Sequence, residues 1–137
     1  MRVALVHDHL NQEGGAEKVL RVLADMWPAA PIFTLVHDEK RLRLFRDRDV
    51  RPSFLNRVPR QLFRLTLPLM PAATESYDLS AFDVVISSSS AFAKGVLTKP
   101  DCVHICYCHT PTRYLWSDTK TYVEELRVPG VIKWFLP

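Results

Sequence analysis

Val3-Ala4-Leu5-Val6, then His7-Asp8-His9-Leu10-Asn11-Gln12-Glu13, then Gly14-Gly15-Ala16-Glu17-Lys18-Val19-Leu20 is the stretch that decides the fold. The first four residues form an unbroken apolar run, the pattern of a strand buried on both faces of a parallel sheet. Gly14-Gly15 opens a predicted helix. Ala16, Val19, Leu20, Leu23, Met26 and Trp27 share its apolar face, while Glu17, Lys18, Arg21 and Asp25 take the other. Pro28 and Pro31 end it, and Ile32-Phe33-Thr34-Leu35-Val36 reads as a second strand. Strand, helix and strand within about 36 residues make a βαβ unit, whose crossover is expected to be right-handed.

Outward from this unit, Lys40 to Arg64 is expected as short helices broken by Pro52 and Pro59, with Pro68 and Pro71 breaking the segment that follows. Phe82 to Ser87 reads as a third strand, and Ser87-Ser88-Ser89-Ser90 offers N-caps for a short helix through Ala91 to Gly95. Val103 to Cys108 reads as a fourth strand, and Thr112 to Trp134 as short helices. Alternating strands and helices predict an α/β, Rossmann-like, mostly parallel sheet flanked by helices. The 137 residues leave room for one domain, with no internal repeat and no low-complexity linker.

Composition excludes several classes. With 47% hydrophobic and 24% charged residues the chain is neither disordered nor fibrous. The opening apolar run stops at His7-Asp8-His9, short of the apolar stretch of at least about 7 residues that a signal peptide needs. The uncharged stretch Leu65 to Thr74 contains Pro68 and Pro71 and falls far short of the ~20 residues that span a bilayer. Three cysteines clustered at Cys102, Cys106 and Cys108 do not resemble a secreted disulfide framework, so a reduced, cytoplasmic setting is expected.

Chemistry concentrates in a few places. Ligands of open α/β sheets bind at the carboxyl ends of strands, and adjacent glycines let a backbone approach a phosphate or sugar at a helix N-terminus. The His7–Gly15 loop fits that place, although Gly14-Gly15 reads equally well as a tight turn. Neither G-x-G-x-x-G nor G-x-x-x-x-G-K-[ST] is present, so a dinucleotide or ATP site is not supported. His109 and Arg113 follow the fourth strand and are candidates for the same crevice. Cys102, His104, Cys106 and Cys108 alternate onto one strand face, but Cys102 and Cys108 are about 20 Å apart on a strand, too far to share zinc. They are expected to be small side chains buried under a covering helix. Asp47-Arg48-Asp49 has D-x-D spacing but lies among arginines, and a solvated, salt-bridged pair is expected there.

Charge is uneven. Lys40 to Arg64 holds nine basic residues against Asp47 and Asp49, making the segment +7 and the remainder of the chain −4. Arg60 and Arg64 at helical spacing, with Leu62, Phe63 and Leu67 among them, suit an interfacial helix on anionic lipid. Arg57 and Phe54 extend that surface. A solvated helix face is the plainer alternative. Nucleic acid fits less well, because stacking aromatics are not interleaved with the arginines at regular spacing.

Seven stretches in order carry a resemblance: 3–10, Gly14-Gly15-Ala16-Glu17-Lys18-Val19, Pro31-Ile32-Phe33-Thr34-Leu35, Tyr77-Asp78-Leu79-Ser80, 82–89, Ala93-Lys94-Gly95-Val96 and His104 to Pro111. Together, from residue 3 to about residue 118, the chain resembles the start of a family-4 glycosyltransferase. The resemblance implies a GT-B architecture: two Rossmann-like domains facing a cleft, with acceptor mainly on the first and nucleotide-sugar mainly on the second. It implies sugar transfer to a glycan or lipid-linked acceptor at the inner face of the membrane, without metal or cofactor. Carried onto this chain, His109 is the catalytic candidate facing the donor sugar. Gly14 and Gly15 approach the donor phosphate or sugar, and Arg113 makes a polar contact across the cleft. Oriented backbone N–H groups can stabilise the departing diphosphate. Residues 1–137 are then expected to be a truncated N-terminal domain, inactive alone, with the donor-binding domain absent or supplied by a separate chain. Glu17, Glu124 and Glu125 have no glutamate eight positions on, so the family's glutamate pair is missing. A Rossmann-like module that binds a ligand or partner without catalysis is the alternative.

Overall fold

All five residues of β1 (Val3–His7) are buried in the computed structural model of the chain, which describes residues 1–110. Its side chains alternate between two apolar clusters, as a strand covered on both faces requires. Val3 and Leu5 join Leu20 and Ala24 of α1 (Gly15–Met26), together with Ile32 and Phe45. Ala4 and Val6 join Phe33, Leu79, Val85 and Val96 on the opposite face.

Four more strands pair with β1: β2 (Ile32–Thr34), β3 (Val50–Pro52), β4 (Val84–Ser89) and β5 (Val103–Cys108). All pairings are parallel, in the order β3-β2-β1-β4-β5. The fold is therefore Rossmann-like α/β, and β1 lies at the topological switch point, with β2 on one side and β4 on the other. The second strand is shorter than its apolar pattern suggests, and the third begins and ends two residues later. Ser87, Ser88 and Ser89 belong to the buried interior of β4.

Lys40 to Arg64 is not purely helical. Ion pairs fasten its start to α1: Arg21 holds Asp47 through two contacts of 2.7 and 3.0 Å, and Arg48 reaches Asp25 at 2.5 Å. The chain then enters the short edge strand β3, where Pro52, lacking an N–H, sits at the last position. A 3₁₀ turn over Phe54–Arg57 and a ten-residue 3₁₀ helix over Arg60–Leu69 lead into α2 (Met70–Glu75). Packing corrects the expected interfacial face. Phe63 and Leu67, four residues apart, turn inward against Leu35, Leu55 and Met70. Phe54, Leu62, Leu65 and Leu69 are the exposed apolar residues instead.

Two further expectations change. Met26 is 62% exposed and Glu17 is 5% exposed, so α1 buries one of its predicted outer residues and exposes one of its inner ones. Cys106 and Cys108 are exposed free thiols, because β5 is an edge strand that no described element covers. Asp47 and Asp49 are ion-paired, to Arg21 and Arg51. No helix among the described residues is long and apolar enough to cross a membrane. Residues 112–134 lie outside the described residues.

Candidate functional site

The carboxyl end of β1 and the N-terminus of α1 enclose a cleft of about 460 Å³ at the switch point. Parallel strands all point their carboxyl ends to this edge, so residues just past β1 and β4 converge there. Asp8 does most to shape the convergence. Its Oδ2 accepts the N–H groups of Ser90 and Ala91 at 2.6 and 2.9 Å. Its Oδ1 accepts those of Phe92 and Ala93 at 2.9 and 2.6 Å. The turn after β4 is thus capped by a carboxylate from β1's end, and not by the serines that precede it, although the Ser89 hydroxyl accepts the Lys94 N–H at 3.2 Å. Burial alone would raise the Asp8 pKa, but hydrogen bonds from Ala93, Ser90, Ala91 and Phe92 outweigh it and hold the carboxyl below its ordinary value.

Glu17 faces the same cleft. Its Oε2 accepts the Gly14 N–H at 2.9 Å, satisfying an orphan donor at the start of α1, and its Oε1 lies 3.4 Å from His7 Nε2. Burial opposes ionisation of Glu17, but the His7 contact and the backbone N–H groups prevail and lower its pKa. The chain of contacts continues. His7 Nδ1 lies 3.1 Å from the Ser88 hydroxyl, which lies 2.7 Å from His109 Nε2. A buried polar relay, Glu17–His7–Ser88–His109, therefore links the helix start to the end of β5.

The predicted site residues separate along this relay. Gly14 and Gly15 both line the cleft. A Cβ on Gly14 would come within 2.9 Å of Glu17 Oε2, so Gly14 makes room for the cap, and its N–H is already engaged. A Cβ on Gly15 would meet nothing within 4 Å, so packing does not demand glycine there. His109 stands behind the cleft, its ring 6.5 Å from that of His7, and does not itself line it. Burial and the neighbouring His7 lower the His109 pKa, keeping the imidazole neutral near pH 7. Arg113 lies outside the described residues. Of the basic candidates, Arg57 and Arg64 are exposed and without acidic partners among the described residues, whereas Arg60 is ion-paired with Asp38.

The cleft's chemistry is specific. Asn11, Gln12 and His9 supply neutral hydrogen-bonding groups, and Phe63 an aromatic face beside His9, with ring centroids 5.7 Å apart. Asp8 and Glu17 are its charged lining residues, and no lysine or arginine among the described residues lines it. Such a lining suits a hydroxyl-rich neutral ligand and disfavours a phosphate. Sequence reasoning found the loop but missed Asp8, Glu17 and Ser88 as its organisers. The spacing of Gly14 and Glu17, that of an N-cap and the third helical residue, is the signal that could have revealed Glu17. On β5, His104 Nε2 lies 2.9 Å from the buried Ser87 hydroxyl. Compared with protein-family models, with curated proteins and with solved structures, the chain matches none.

Proposed function

We propose that the chain is the acceptor-side portion of a glycosyltransferase, moving a sugar from a nucleotide-sugar to a glycan or lipid-linked acceptor, with the cleft holding sugar hydroxyls. The observation that carries the reading is the lining of the switch-point cleft: amide, imidazole and carboxylate groups around one aromatic ring, without a lysine or arginine among the described residues. Carboxylates and amides accept and donate to vicinal hydroxyls, and a ring face covers the apolar side of a pyranose. His109, tethered through Ser88 behind the cleft, would act on the donor sugar from outside the lining that holds the acceptor hydroxyls. The exposed apolar residues of the 3₁₀ segments beside Arg57 and Arg64 support peripheral attachment to an anionic membrane surface on the cytoplasmic side.

Backbone-amide NMR tests the binding half of this reading. Neutral mono- and disaccharides are expected to shift the Gln12 and Gly15 resonances saturably. Saccharides that leave the His7–Glu17 loop unmoved would overturn it. The position of His109 behind the cleft favours a second reading, a sugar-binding module without catalysis. Turnover of radiolabelled nucleotide-sugars by the natural gene product, lost in His109→Ala, separates the two.

A further inference from the structure

A second, larger groove of about 1070 Å³ adjoins the cleft, between the segment after β2 and the 3₁₀ helix over Arg60–Leu69. Its chemistry is the reverse of the cleft's. Lys40, Arg41, Arg60 and Arg64 line it, against Asp38 and Glu39. Asp38 is already neutralised: one oxygen pairs with Arg60, and the other accepts the backbone N–H groups of Lys40 and Arg41 at 3.1 and 3.2 Å. That turn brings Lys40 and Arg41 together at the rim, and neither they nor Arg64 has an acidic partner among the described residues. His37 also lines the groove, and its Nε2 is buried without a hydrogen-bond partner among the described residues. Val36, Val58 and Phe63 add apolar surface.

We infer that this groove is a phosphate subsite, taking the phosphate or diphosphate of a ligand whose remaining part reaches the neighbouring cleft. Lys40 and Arg41 on one wall and Arg64 on the other, unpaired among the described residues, outweigh Glu39 and match a compact dianion, and arginine forks suit its oxygens. Asn11 and Phe63 line both cavities, so a ligand anchored by phosphate in the groove can pass Phe63 into the cleft. The division is electrostatic: the cleft's two carboxylates repel the phosphate that the groove attracts. The inference rests on the groove and not on sugar transfer, so it stands or falls separately from the proposed activity.

Titrating the chain with inorganic pyrophosphate, followed by amide NMR, tests it. Saturable shifts at Lys40, Arg41 and Arg64 are expected, with binding weakened about tenfold in each of Arg41→Ala and Arg64→Ala. Arg43→Ala and Arg46→Ala, which remove exposed arginines outside the groove, are expected to leave affinity unchanged. Vesicles containing phosphatidic acid form the second arm. Competition between soluble pyrophosphate and vesicles, lost in Arg41→Ala, identifies a lipid headgroup as one source of the phosphate. Pyrophosphate binding without such competition identifies a soluble ligand. Either result supports the subsite. Equal weakening by Arg43→Ala and Arg41→Ala would show only general attraction to a basic surface and overturn the inference. So would the absence of saturable binding to both probes by a folded protein.

Discussion

Replacing Asp8 by asparagine keeps the side chain's shape and removes its charge, so it tests whether one carboxylate holds the two halves of the sheet edge together. The amide oxygen can still accept two of the four N–H groups, from Phe92 and Ala93 or from Ser90 and Ala91. The amide NH₂ then faces the other two donors, which lose their acceptor. Asp8 is 7% exposed, leaving little access for water to replace it. Each buried donor left unsatisfied costs ~1–3 kcal/mol, so the variant should lose about 4 kcal/mol. That is a large part of a typical domain's 5–15 kcal/mol. At roughly 3 °C per kcal/mol for a chain of this size, Tm should fall by about 12 °C. Urea unfolding should show a lower midpoint with an unchanged slope. Because the folded Asp8 pKa lies below the ordinary 3.8, its contribution is complete above that value and disappears as pH falls through the lower, folded value. The gap between wild type and Asp8→Asn should therefore stay constant from about pH 7 to 5 and close only below about pH 4. A loss under about 1 kcal/mol at pH 7 would refute the capping argument, since the donors must then be satisfied some other way.

Gly15→Ala should be neutral or stabilising by about 0.4–1 kcal/mol, since the site has open space and alanine restricts the unfolded chain. The same methyl should weaken saccharide binding in the cleft; thermal melts and NMR titration read the two effects separately. Ser88→Ala should leave His7 and His109 without their shared partner, lowering stability by ~1–3 kcal/mol. The NMR titration of His109 should stay below its ordinary value, because burial and His7, which lower it, are unchanged. In the natural gene product, His109→Ala should reduce transfer 10²–10³-fold, about 2.7–4 kcal/mol of barrier, with fold retained by circular dichroism. Flotation on anionic vesicles should weaken with Arg57→Glu and fade with salt, each basic residue contributing ~1 kcal/mol. Equal flotation on neutral vesicles would assign the attachment to Phe54, Leu62, Leu65 and Leu69 alone.

The core strands are legible in the sequence because their local pattern and their burial coincide. Val3–Val6 is apolar throughout, and it is covered on both faces. β3 is not legible, since Val50-Arg51-Pro52 has no strand pattern of its own and is extended only through pairing with β2. The exposed stripe of the Arg60–Leu69 segment is misread for a different reason. Phe63 and Leu67 share a side four residues apart, but no local pattern says that this side meets the Leu35–Leu55–Met70 cluster and not a membrane. The loop of the candidate site stands out by its glycines and histidines, but its organisation does not. Asp8 finds its partners 82 to 85 positions away, beyond any local pattern. Glu17 looks like an ordinary outer-face residue unless its distance from Gly14 is read as a cap.

The central place of β1 in the sheet also sets an order of events during synthesis. β1 spans residues 3–7, while its central neighbour β4 begins at Val84. Joining them closes a loop of nearly eighty residues, which costs about 4 kcal/mol of chain entropy before any contact is gained. At ~5–20 residues per second, a ribosome needs about 4 to 16 s to make that intervening chain. Throughout this interval β1 can pair with β2 on one side, but its other edge, all valine, alanine, leucine and histidine, has no native neighbour. An apolar strand with a free edge is an aggregation template. The first half of the chain is thus the part that needs chaperone protection. Ribosome-stalled chains ending before residue 84 should be protease-sensitive and bound by chaperones, and those displaying residue 89 outside the tunnel should be protected. Equal protection of both lengths would mean that the β1–β2 half shields itself.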